Sequence, residues 1–100
     1  MYKIESKIDT TSSEFKANKN HTESLVAELK ERVQQIKNGG PPHAHKAHER
    51  RSKLFVRERL RRLFDPNTPF LEFSHLAAWE MYGDQAPSAG MVTGVGVVHG

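Results

Sequence analysis

Only two stretches of this chain have the pattern of a β-strand, and two short strands are too few for a sheet that stands alone in water. The clearer one runs from Met91 to His99. Alternation puts Met91, Thr93, Val95 and Val97 on one face and Val92, Gly94, Gly96 and Val98 on the other. Two interior glycines weaken a strand and mark a close approach by another group, so the pattern predicts a strand that is covered. The second candidate is the strand or strand-to-helix piece "FLEFSHLAAW", which follows the turn chemistry of "DPNTP". Such a chain reads either as a fragment or as one piece of a larger assembly.

The helical signals are few as well. Leu25, Leu29, Val33 and Ile36 form one amphipathic stripe, with Val26 beside it, and predict a helix over residues 22–38. Asn20 with Glu23 offers a capping box, Thr22 a rival N-cap, and Gly39 a stop before Pro41 and Pro42. A second helix is expected from about Arg51 to Phe64, where Val56, Leu60, Leu63 and Phe64 share a face and Glu58 sits one turn before Arg62. Residues 1–20 are polar, with scattered Ile4, Ile8 and Phe15, and read as an arm that orders only against something else. "YGDQAPSAG" reads as a loop.

Composition sharpens this picture. Apolar residues make up 36% of the 100 residues, and adding the seven glycines still leaves the chain below the usual 45–50%. A self-sufficient core is not expected, and the isolated chain should hold partial helix without a cooperative melt. There is no cysteine, which excludes disulfides and thiolate metal sites. No apolar run reaches membrane-span length, and the first twenty residues carry no arginine, unlike a transit peptide. A bacterial cytoplasmic protein is the simplest reading, with no membrane partner.

The net charge of +3 hides a concentration of cations. Between His43 and Arg62 lie Lys46, Arg50, Arg51, Lys53, Arg57, Arg59, Arg61 and Arg62, against Glu49 and Glu58 alone. Arg50, Lys53 and Arg57 are three and four apart, so one helix would carry them on one face. These cations read either as contacts for phosphate groups or as a solvated, salt-bridged face. Nucleic acid is not the expected partner, because no aromatic stacking platform interleaves them. His43, His45 and His48 lie close together, but nothing completes a four-ligand set, so they read as a solvated loop and not as a metal site. Gly94-Val95-Gly96 lacks the third glycine and following helix of a dinucleotide loop; close packing of sheet layers explains these glycines better. No catalytic constellation is visible.

Three segments carry a resemblance. "LVAELKERVQQIKNGG" (25–40), "RSKLFVRERLRRLFDPNTPFLEFSHLAAWEMYG" (51–83) and "APSAGMVTGVGVVHG" (86–100) resemble the start of the carboxyltransferase β subunits of biotin-dependent acyl-CoA carboxylases. Within that family the methylcrotonoyl-CoA carboxylase type is most similar, and the arm 4–20 resembles the N-terminus of bacterial members. One departure is local: the family pattern reads Arg-Gly-Lys where this chain has Arg51-Ser52-Lys53, and a small residue is common where it has Arg50.

The resemblance implies an α/β fold of the crotonase (ClpP/crotonase) type, incomplete here: an extended arm over 1–20, a helical lead-in over 21–64, and the first strands of the carboxyltransferase domain over 65–100. It also implies a ligase, with biotin carried by a partner α subunit that holds the biotin carboxylase and biotin carrier, an acyl-CoA substrate, further β subunits in a homo-oligomeric core, and a place in leucine catabolism. The oxyanion donors such chemistry needs lie beyond Gly100 in the family, so no catalytic residue is carried over. Arg51, Lys53 and Arg57 are the candidate contacts for the acyl-CoA phosphates. Two alternatives stand beside this one: a non-catalytic truncated paralogue that docks on a carboxylase through helix 22–38 and the exposed strand edge, and the β subunit of a propionyl-, acetyl- or geranyl-CoA carboxylase.

Overall fold

The computed structural model describes all residues from Met1 to Gly100, in two compact units, Met1–Glu31 and Arg32–Gly100. In chain order the elements are α1 (Ser13–Lys37), α2 (Pro42–Arg50), α3 (Val56–Leu63), β1 (Leu71–Phe73) and β2 (Thr93–Val95), with two short 3₁₀ turns between the strands.

In the first unit, α1 starts well before the apolar stripe predicts. Ser12 is the reason: its Oγ accepts the backbone N–H of Phe15 at 3.1 Å, while its hydroxyl donates to the Asp9 carbonyl. Asp9 in turn accepts both the N–H and the hydroxyl of Thr11, which closes the turn in front of the helix. The expected caps at Asn20 and Thr22 are interior; Thr22 and Ser24 send their hydroxyls back to the carbonyls of Asn18 and His21. Residues 13–20 of the expected arm are therefore helical. Leu25, Val26 and Leu29 remain exposed on α1.

The second unit has little core. Ile36 is its one buried apolar side chain, and Ser88 its one buried polar residue. Gly39 ends α1 in the left-handed region at φ +80, its N–H bonded to the Ile36 carbonyl. A Cβ there would meet the Phe55 ring at 2.7 Å, so Gly39 serves both turn and packing.

A helix replaces the loop expected over the histidines. Pro41 is extended and Pro42 occupies the first turn of α2, where its missing N–H costs nothing. The double proline thus stops one helix and starts the next. At its far end the Lys53 N–H bonds to the His48 carbonyl and the Ser52 N–H to the Glu49 carbonyl, both at 2.9 Å. This is the paired closure of a Schellman motif with Ser52 at the left-handed position, φ +54. The motif occupies 51–53, so α3 begins only at Val56, and Arg50, Lys53 and Arg57 do not share one helix. Ser52 stands where the family pattern has glycine, and an L-residue in this conformation is strained. Ser52→Gly should raise the stability of the protein that carries this sequence by about 0.5–1 kcal/mol; an unchanged or lower melting temperature would contradict the left-handed turn.

β1 and β2 pair antiparallel, with Leu71 opposite Val95, Glu72 opposite Gly94 and Phe73 opposite Thr93. β2 is shorter than the expected 91–99, because the backbone beyond Val95 turns to Asp65, whose N–H bonds to the Val97 carbonyl at 2.9 Å. Contrary to the expected covered strand and layered sheet packing, all three residues of β2 are exposed, and the glycines are approached by aromatic rings on one face instead of by a second sheet layer. A Cβ on Gly96 would lie 2.6 Å from the Phe64 ring, and one on Gly94 would strike Phe70 and the Leu71 carbonyl. The two rings lie against each other with centroids 4.9 Å apart. On the sheet's other side Leu71, Phe73 and Val95 stay exposed.

Candidate functional site

The basic stretch resolves into two settings. On α3, Glu58 accepts both the Nε and Nη2 donors of Arg61, at 2.9 and 2.7 Å, and the Nε of Arg62 at 2.8 Å. These hydrogen bonds, Arg61 first, pull its carboxyl down to about 2. Arg57, one of the three candidate phosphate contacts, turns to β1 instead. Its Nη1 and Nη2 donate to the two carboxylate oxygens of Glu72, each at 2.9 Å, with the side chains only 20% and 11% exposed. The Arg57 hydrogen bonds hold the Glu72 carboxyl below its ordinary range. A fork-to-fork pair this sheltered fixes α3 on the sheet. Glu72 was not legible as the partner from spacing, since fifteen residues separate the two.

Arg51 and Lys53 sit in the Schellman turn, exposed, with no ion pair to a carboxylate. Lys53 borders a cleft of about 320 Å³ that also involves His48, Glu49 and Phe55, whereas Arg57 borders a different cleft of about 390 Å³ between the end of α1 and the segment before β2. Arg51 lines neither. The structure therefore does not gather the three candidates into one pocket.

The histidines are spread along α2. The His45 ring lies 4.9 Å from that of Phe55, while His43 and His48 are exposed, and no group of three His, Cys, Asp or Glu side chains is placed to hold a metal ion. Two contacts had no sequence signal. The Arg32 guanidinium lies over the Trp79 ring, 5.2 Å from its centre, and Ser88 donates to the His75 carbonyl at 3.2 Å. The first joins the irregular 74–90 segment to α1, and the second ties the segment to itself, as does the Ala89 N–H bonded to the Ala77 carbonyl.

No family model matches the chain. Individual proteins do. It is 42% identical over 98 residues to the mitochondrial methylcrotonoyl-CoA carboxylase β chain of Dictyostelium discoideum, which covers 97% of this chain and 17% of that one. It is 51% identical over 76 residues to the biotin-dependent 3-methylcrotonyl-coenzyme A carboxylase β1 subunit of Mycobacterium tuberculosis, covering 76% of this chain and 14% of the relative. Among solved structures, the geranyl-CoA carboxylase β subunit of P. aeruginosa superposes with a TM-score of 0.74 at 32% identity, over 95% of this chain and 18% of its own. The chain thus spans less than a fifth of the length of these relatives, and no helix in it is long and apolar enough to cross a membrane. With the alignment running over nearly all its residues and the backbone following that of a solved member, the chain corresponds to a short stretch of the β subunits of the biotin-dependent acyl-CoA carboxylases.

Proposed function

We propose that this sequence forms the helical lead-in and first strands of a carboxyltransferase subunit that moves a carboxyl group from carboxybiotin to an acyl-CoA, of the methylcrotonoyl type. The observation that carries the reading is the 42% identity over 98 residues to a methylcrotonoyl-CoA carboxylase β chain. Biotin belongs to the partner α subunit on this reading, other β subunits complete the core, and no residue of the chain is assigned to biotin or to the chemical step. Apart from two exposed cations, the chain's part is structural: α3 is locked to β1 by Arg57 and Glu72, and the aromatic pair Phe64–Phe70 seats the glycine strand. A bacterial cytoplasmic location and a role in leucine breakdown follow from the same reading.

Of the three candidate phosphate contacts, Arg51 and Lys53 keep cations that no carboxylate of the chain engages, and the proposal assigns acyl-CoA phosphate contact to them alone. In a β subunit carrying this sequence, assembled with its α subunit, methylcrotonoyl-CoA should be carboxylated in preference to geranyl-CoA. Arg51→Ala and Lys53→Ala should each raise the acyl-CoA KM by about two- to fivefold at low salt, with the difference fading at high salt, as expected for exposed charges. An unaltered KM in both variants removes these residues from the site, and preference for geranyl-CoA overturns the methylcrotonoyl assignment.

A further inference from the structure

Asp65 makes more directional contacts than any residue around it. Its backbone N–H bonds to Val97, its carbonyl accepts the Thr68 hydroxyl at 2.6 Å, and its carboxylate reaches across more than thirty residues of sequence. There Oδ1 accepts the His99 N–H at 2.8 Å and Oδ2 the Gly100 N–H at 2.9 Å. His99 and Gly100 both stand in the left-handed region, at φ +57 and +90. Successive N–H groups turned the same way form a concavity that favours an anion.

We propose that the His99–Gly100 turn is a backbone anion nest, filled from within by the Asp65 carboxylate, and that Asp65 is thereby the positioning residue that sets the path of the backbone beyond β2. Three observations converge on it. Each carboxylate oxygen meets its own amide at charge-assisted length. The two amides hold the Asp65 carboxyl below its ordinary range, with the Gly100 contact the larger cause. His99 adopts the left-handed backbone that histidine visits more readily than most L-residues, next to the left-handed Gly100 whose amide meets the carboxylate. The inference rests on this geometry and is independent of the carboxylase reading. The ligand class is a small carboxylate or similar oxyanion.

Amide hydrogen exchange, read by mass spectrometry on the full-length protein that carries this sequence, tests it, with the β1–β2 amides as internal reference. Exchange at His99 and Gly100 should be about tenfold slower in the wild type than in Asp65→Asn or Asp65→Ala, the scale of a lost charge-assisted bond. Formate added to the Asp65→Ala chain should slow both amides again, beyond what chloride does at equal ionic strength, because the free anion takes the place of the missing carboxylate. Equal exchange in wild type and both variants would overturn the contact. Slowing that formate fails to restore would overturn the nest and leave Asp65 as an ordinary turn residue.

Discussion

Arg57→Ala, in a β subunit carrying this sequence, should lower stability by about 2–3 kcal/mol and leave the acyl-CoA KM unchanged. The loss has one cause: Glu72 is 11% exposed and accepts both arms of the guanidinium, so removing Arg57 strands a sheltered carboxylate without its counter-charge. Glu72→Gln should cost less, because the amide keeps the shape and one acceptor. An apolar pair, Arg57→Met with Glu72→Leu, should recover much of the Arg57→Ala loss, since neither charge is then left unpaired. The pH dependence follows from the direction of the shift. The folded Glu72 carboxyl lies below its ordinary value, so the pair contributes fully above about pH 4.3 and the contribution fades as pH falls through the lower folded value. The gap between wild type and Arg57→Ala should therefore narrow on acidification below about pH 4. Lowered acyl-CoA affinity with unchanged melting would show that Arg57 serves the ligand and not the fold.

The second large effect is expected at Gly96. Its missing side chain is where the Phe64 ring lies, 2.6 Å from the position a Cβ would take, and that ring is held in turn by Phe70. Gly96→Val should cost about 2–3 kcal/mol through overpacking. Phe64→Leu alone should destabilise by loss of packing, yet in combination with Gly96→Val it should return part of the stability, because the smaller side chain makes room for the valine. Strictly additive losses in thermal or urea unfolding would mean that the ring and the glycine do not share the space.

What the sequence made legible follows from which interactions leave a periodic trace. The Leu25–Ile36 stripe predicted a helix, Gly39 its end, and the alternation after Met91 a strand with a close approach at its glycines; each depends on neighbours three, four or two residues away. The first turns of α1 left no such trace, since a polar helix capped by Ser12 has no apolar period to read. α2 was hidden by reading Pro41-Pro42 only as a stop, although proline is equally at home at a helix start. Arg57 was placed among candidate ligand contacts because its partner Glu72 is not local. Ser52 is the instructive case: the departure from glycine was visible in the residues, and its meaning, a left-handed residue closing a Schellman motif, needed the backbone.

Leu71, Phe73 and Val95 share an uncovered sheet face, Leu25 and Leu29 an uncovered helix face, and only Ile36 among the apolar side chains is buried. The account holds that these surfaces are built to be covered within an acyl-CoA carboxylase β subunit. The most direct test replaces the matching stretch of the Mycobacterium tuberculosis β1 subunit with this chain and measures carboxylation of methylcrotonoyl-CoA by the purified complex. The account predicts a soluble, assembled chimera whose activity stays within about tenfold of the parent, a transition-state difference of about 1.4 kcal/mol. A chimera that fails to assemble, or that assembles without carboxylating, would contradict it.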